Sequence, residues 1–200
     1  MINIVVFASG SGTNFQSIIN ATEDGQIEGQ VRGLVTNKND IQAIRRARKH
    51  DIAHVTIDPA DFTDRSDYVG ELLDQLAAWE TDLIVLAGYM IKIPAELIKK
   101  FENRIINIHP SLLPKYGGKG FYGHNVHRAV LDNNETESGC TVHIVTREYD
   151  EGPILAQKKV PVYESDDPST LAKRVQQQEH LLLPEVIAKL ANELKQKNNS

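Results

Sequence analysis

Short β-branched apolar runs alternate with stretches whose apolar residues recur every three or four positions through the first half of the chain. Runs of the first kind read as buried strands, and stretches of the second kind as amphipathic helices. Ile2–Ala8 is the first expected strand, and Phe15, Ile18 and Ile19 supply the stripe of the helix after it. Val31–Thr36 is the second strand, followed by Ile41, Ile44 and Ala47 at helical spacing with Asp40 as N-cap. Ala53–Ile57 is the third, and Tyr68, Leu72, Leu76 and Trp79 then fall on one helix face. Leu83–Ala87 is apolar throughout, as expected of a strand covered on both sides. Pro94 suits the first turn of a short helix through Phe101, and Arg104–Ile108 is the fifth strand.

Strand–helix alternation implies right-handed crossovers, so the fold class expected is α/β: one doubly wound, mostly parallel sheet with helices on both faces. The second half breaks the rhythm. Thr141–Val145 and Ile154–Val162 are joined by a turn at Asp150-Glu151-Gly152-Pro153, which predicts an antiparallel C-terminal strand pair. From Ser169 to about Lys195 the pattern is helical, with a bend at Pro184 and a frayed polar tail from Lys195 to Ser200. No repeat or linker interrupts residues 1–200, which read as a single domain.

Composition narrows the field. A net charge of −5 argues against a nucleic-acid binder, and the basic run Arg45-Arg46-Ala47-Arg48-Lys49 reads as a solvated helix surface. With Cys140 the sole cysteine, neither an intrachain disulfide nor a multi-cysteine zinc site can form. The first residues carry no basic leader pattern, and no apolar run reaches membrane-spanning length. The expectation is a soluble protein of a reducing compartment, the cytoplasm.

Between the first strand and helix lies Ser9-Gly10-Ser11-Gly12-Thr13-Asn14. Glycines let a backbone approach a ligand closely, and the N–H groups of a helix start favour an anion. The loop lacks the Gly-Lys-Ser/Thr of a P-loop, and Phe15 stands where a dinucleotide fingerprint needs its third glycine. Asn107-Ile108-His109-Pro110 ends the fifth strand, and strand alternation points Asn107 and His109 to the same side. An amide donor beside an imidazole suits a reaction that develops negative charge on a carbonyl oxygen. Asp150 is the carboxylate that topology brings nearest, where it would favour the imidazolium. His143, alternating with Val142 and Ile144, is a second-rank candidate for the same site.

Asn107-Ile108-His109-Pro110-Ser111-Leu112-Leu113-Pro114-Lys115-Tyr116, followed by Asp150-Glu151-Gly152-Pro153-Ile154-Leu155, resembles the formyltransferase family that uses 10-formyltetrahydrofolate. With the glycine loop in front, the resemblance spans residue 2 to about residue 190. It implies transfer of the formyl group to the amine of 5′-phosphoribosylglycinamide, in purine biosynthesis and without metal. By the same resemblance Asn107, His109 and Asp150 match the catalytic trio, with protonated His109 as proton donor and Asp150 raising its pKa. Gly12, Thr13 and Asn14 match the substrate-phosphate segment, and Glu179 the ligand of the ribose hydroxyls. Met90, Ile91, Lys92 and Ile93, with Asn107, match the folate-binding segment; Arg65 matches a position associated with the folate tail. The chain would then divide into a phosphate-binding half, about 1–103, and a catalytic and folate half, about 104–195. Its partners would be those two small molecules, with no nucleic acid and no membrane, and its state a monomer or weak homodimer.

The sequence departs from the family at Ile91, where members often carry Arg, and in the long Gly117–His124 segment, which reads equally as a mobile lid or a flexible loop. Rival expectations are formyl transfer to methionyl-tRNA or hydrolysis of formyltetrahydrofolate, each of which normally adds a further domain. A metallohydrolase built on His109, His124, His127 and Asp150 would need a helix at 124–127, which the preceding glycines argue against. A non-catalytic binding module would be expected to lose one of Asn107, His109 and Asp150, and all three are present.

Overall fold

The apolar alternation of the strands resolves into one sheet with two hydrophobic faces. A computed structural model describes residues 1–198, with side chains through residue 196. Its strands are β1 (Ile2–Phe7), β2 (Gly29–Thr36), β3 (Ala53–Thr56), β4 (Leu83–Leu86), β5 (Ile105–His109), β6 (Glu137–Ile144) and β7 (Ile154–Pro161). Its helices are α1 (Thr13–Glu23), α2 (Gln42–Lys49), α3 (Arg65–Ala78), α4 (Ala95–Lys100), α5 (His124–Asp132) and α6 (Pro168–Asn198). The sheet runs β3-β2-β1-β4-β5-β6-β7, parallel through β5 and antiparallel across β5–β6–β7. This is the doubly wound arrangement with an antiparallel end that the pattern predicts.

Period two along β1 decides which residue meets which helix layer. Ile4 and Val6 join Ile106 and Ile108 in one core, with α1 residues Phe15 and Ile18 and α6 residues Val175 and Leu183. Val5 and Phe7 point the other way, into a second core with Leu72 and Leu76 of α3 and Leu97 of α4. Each fully buried side chain of this size contributes roughly 1.5–3 kcal/mol relative to exposure.

Four local expectations are corrected. Asp40 is not the cap of α2: it has φ 53°, the cap position is Ile41, and the Asp40 carboxylate pairs with Arg45 at 3.2 Å. Helix α5 exists despite the glycines before it, because Gly123, at φ 52° and ψ −131°, is its N-cap and takes a backbone conformation closed to other residues. Strand β6 starts at Glu137 rather than Thr141. Gly139 lies inside it because a Cβ there would come within 2.1 Å of the Lys158 carbonyl oxygen on β7. Finally, α6 continues through Pro184 to Asn198; the last two residues of the expected tail, 199 and 200, lie outside the described residues.

Gly152 carries the return from β6 to β7, since a Cβ there would lie 1.8 Å from the Ile144 carbonyl oxygen. Gly152→Ala is predicted to destabilise the protein by about 2–3 kcal/mol, because the clash is with backbone. Gly70 sits inside α3 with nothing within 4 Å of its notional Cβ, so Gly70→Ala should stabilise by about 0.5–1 kcal/mol. Urea unfolding of the two variants beside the parent checks both signs.

Candidate active site

The strand order reverses between β1 and β4, and open α/β sheets bind ligands outside the carboxyl ends of the strands at such a point. Here the two loops are stitched together. The Ser9 N–H donates to the Gly88 carbonyl at 3.1 Å, the Met90 N–H to Ser9 Oγ at 3.0 Å, and Ser9 Oγ to Asn37 Oδ1 at 2.6 Å. A cavity of about 520 Å³ opens beside them, lined from Asn14 and Glu179 at one end to Asp150 at the other.

At the Asp150 end, β5 and β6 lie in a register that pairs Asn107 with His143 and His109 with Thr141. His143 Nδ1 lies 2.9 Å from the Ile144 carbonyl oxygen, and its Nε2 lies 3.1 Å from Asn107 Nδ2. The His109 Nε2–H donates to the Tyr116 carbonyl at 2.8 Å. Its Nδ1 is therefore the nitrogen that gains and loses a proton, and it faces Asp150 Oδ2 at 3.6 Å. Asp150 Oδ1 lies 3.5 Å from His143 Nε2, and Oδ2 accepts the Gly118 N–H at 2.8 Å.

The loop after β5 is held as firmly as the strand. Thr141 Oγ1 donates to the Ser111 carbonyl at 2.6 Å and accepts the Leu113 N–H and Gln157 Nε2. Ser111 Oγ donates to the Lys115 carbonyl at 2.6 Å, and the Leu113–Pro114 bond is cis. Tyr116, the partner of His109, thus sits at the end of a braced turn.

At the other end, Gly12 is the N-cap of α1 at φ 68°, and a Cβ on it would come within 2.8 Å of Ala43 Cβ. Asn14 Nδ2 donates to Glu179 Oε2 at 2.8 Å, across 165 residues of chain, and Gln176 Nε2 donates to Thr13 Oγ1 at 3.1 Å. Gln176 also lines the cavity and is not among the residues that sequence reasoning singled out. The signal was there, one helical turn before Glu179.

Met90, Ile91, Lys92 and Ile93 all line the cavity with Asn107, and Lys92 Nζ lies 4.9 Å from the centre of the Tyr149 ring. Arg65 is elsewhere. It is exposed at the start of α3, bound through two hydrogen bonds to the Glu96 carboxylate at 2.9 and 3.0 Å, and does not line the cavity. Gly118 to His124 line the cavity too, with Phe121 packed edge-on to Tyr116. Among the described residues no group of three or more His, Cys, Asp or Glu is arranged to hold a metal ion.

The formyl transferase family model matches residues 2–187. The chain belongs to the formyl transferase family. It is 45% identical over 192 residues to the chloroplastic phosphoribosylglycinamide formyltransferase of Arabidopsis thaliana, covering 95% of this chain and 65% of that one. It is 41% identical to the phosphoribosylglycinamide formyltransferase of Escherichia coli, covering 96% of this chain and 88% of the relative. Among solved structures, glycinamide ribonucleotide transformylase 1 of Symbiobacterium toebii superposes with a TM-score of 0.91 at 39% identity, over 96% of this chain and 89% of the other. The chain spans just under two thirds of the length of the plant relatives it matches. No described helix is long and apolar enough to cross a membrane.

Burial dominates the electrostatics of this family member's site. It pushes the His109 imidazole below its ordinary value, although the Asp150 carboxylate and the Tyr116 carbonyl both oppose it. Asp150 raises this ring's pKa, and burial lowers it by more. For Asp150 burial again works against the charge, but His143, His109 and the Gly118 N–H together outweigh it and keep the carboxyl below its usual range. Glu179 is pushed up by burial, only partly offset by Asn14. His127, buried on α5 with Nδ1 unpartnered, is brought down to about 4 by desolvation and by the neighbouring imidazoles of His124 and His109.

His109 and His127 have lower pKa values folded than unfolded, so between about pH 4 and 6.5 the unfolded chain binds more protons at these two sites. Stability should therefore fall as pH drops below 6.5, His127 accounting for about 2–3 kcal/mol of the loss by pH 4. Urea midpoints measured from pH 7.5 to 4.5 should decline, and His127→Leu should flatten that slope. An equally steep decline in the variant would refute the assignment to His127.

Proposed function

We propose that this protein transfers the formyl group of 10-formyltetrahydrofolate to the amine of 5′-phosphoribosylglycinamide, giving formylglycinamide ribonucleotide and tetrahydrofolate in purine biosynthesis. The observation that carries the reading is a cavity lined by Asn14 of the first turn of α1 and by Glu179, Asn107, His109 and Asp150, with the glycine loop next to Asn14. A ribose phosphate fits that loop and a reacting carbonyl the Asn107–His109–Asp150 group. Family membership and the names of the relatives support the same chemistry.

In this reading the N–H groups of Gly12, Thr13 and Asn14 bind the phosphate, and Glu179 accepts the ribose hydroxyls. The apolar segment Met90, Ile91 and Ile93 walls the pterin, and Lys92 is a cation of the same segment. The folate supplies the electrophilic formyl carbon. When the amine adds to it, the carbonyl oxygen gains charge, and the Asn107 amide, beside His143, stabilises it with an Nδ2–H. The amine must lose a proton and the departing folate nitrogen must gain one. His109 Nδ1, neutral beforehand, takes the first and returns the second, and Asp150 stabilises the imidazolium between the two steps. We place this activity in the cytoplasm, in a monomer or weak homodimer, with a phosphate-binding half about 1–103 and a catalytic half about 104–195.

The expected outcome is folate turnover, followed by absorbance, that depends on added ribonucleotide. Turnover with water alone would instead support the hydrolase reading. Asn107→Ala, His109→Ala and Asp150→Asn should each lower kcat by roughly 10²–10⁴ without loss of the folded state. Variants that turn over like the parent would refute the assigned roles.

A further inference from the structure

The basic run on α2 is not the uniform solvated face its composition implies. Arg45 pairs with Asp40, and Arg48 and Lys49 are exposed, but Arg46 is partly buried and turned onto the glycine loop. Helical spacing accounts for this. Arg46 follows Ala43 by three residues and so shares its face, and Ala43 is the residue packed against Gly12.

Three successive carbonyls of the loop are held, two by α2 behind them and the third by the first helical bond of α1. The Gly10 oxygen accepts the Ala43 N–H at 3.2 Å, the Ser11 oxygen accepts Arg46 Nε–H at 2.9 Å, and the Gly12 oxygen accepts the Gln16 N–H at 2.9 Å. In a trans peptide the carbonyl and the N–H that follows it point in opposite directions. Drawing the Gly10 and Ser11 carbonyls toward α2 therefore turns the N–H groups of Ser11 and Gly12 away from it. Together with those of Thr13 and Asn14 they find no acceptor among the described residues. Of these four donors, α2 aims two and the start of α1 supplies the other two.

Arg46 is itself fixed. Its Nη1–H donates to Gln16 Oε1 at 3.1 Å, Gln16 Nε2 faces His50 Nε2 at 3.0 Å, and His50 Nδ1 faces Glu23 Oε1 at 2.8 Å. The acceptor at Glu23 and the donor at Gln16 agree on one tautomer, with the proton on Nδ1. The guanidinium is thus held by a network across α1 and α2.

We infer that Arg46 is the positioning residue of the phosphate cradle: it orients the loop N–H groups through the Ser11 carbonyl and sets a full positive charge behind them. The inference rests on the phosphoribosyl reading of the site. A phosphate held by neutral N–H groups gains from a cation one peptide away, the more so where water is excluded. Lys could restore the charge but not the planar pair of contacts to Ser11 and Gln16.

The test uses Arg46→Gln, which keeps most of the stem, and Arg46→Lys, each assayed with the ribonucleotide and with its dephosphorylated riboside. For Arg46→Gln the KM for the ribonucleotide should rise roughly ten- to a hundredfold, the span expected for a charge-assisted contact. The kcat at saturation and the KM for formyl folate should stay within about twofold, and the preference for the phosphorylated substrate should shrink by the same factor. Arg46→Lys should fall between variant and parent. An active parent whose variants lose equally on both substrates, or lose nothing, overturns the inference alone. A parent inert toward the ribonucleotide overturns the functional reading and this inference with it.

Discussion

A carboxylate between two imidazoles is the constraint on which the rest of this site depends. Asp150 reaches both His109 Nδ1 and His143 Nε2, and the Gly118 N–H closes its remaining side. Each partner comes from a different element, so a strand pair, the turn after β6 and the glycine-rich segment before α5 must all be in place. Several otherwise odd features serve that meeting. Asp150 itself has a left-handed backbone at φ 57°, and Gly152 lets the turn press on β6 where any Cβ would collide. Gly117, whose Cβ would lie 2.5 Å from Leu113 and 3.2 Å from the Asp150 Cβ, admits the segment from the other side.

Desolvation and charge pull against each other here, and the balance differs for each partner. His109 loses more by leaving water than it gains from one carboxylate, so it rests neutral. Asp150 has two imidazoles and a backbone donor and stays ionised. A neutral base beside a standing anion is poised to accept a proton and to have the resulting charge stabilised at once.

The far end of the cavity follows a different principle. It holds no charge pair of that kind. Orientation is set instead by hydrogen bonds between segments far apart in sequence, Asn14 with Glu179 and Thr13 with Gln176, and by carbonyls turned toward α2. The first turn of α1 is thereby tied to α6 in front and α2 behind. In the proposed reading, one end of the site moves a proton and the other holds an anion.

Much of this was legible in the residues themselves. Period-two and period-3.6 patterns located seven strands and five of six helices, because burial on one or two faces writes a repeat into the chain. Alternation placed Asn107 with His109, and the turn at Asp150 was recognisable from its own residues. What the sequence could not carry were choices made by distant partners. Whether a glycine breaks an element or permits close contact depended on Lys158 for Gly139 and on the start of α5 for Gly123. Arg65 pairs with Glu96, 31 residues away, which no local pattern foretells, and Arg46 looked like solvent-facing charge until the glycine loop folded beneath it. Local patterns are set by neighbours along the chain, whereas a charged side chain is committed by whichever opposite or polar group the tertiary structure brings within about 3 Å.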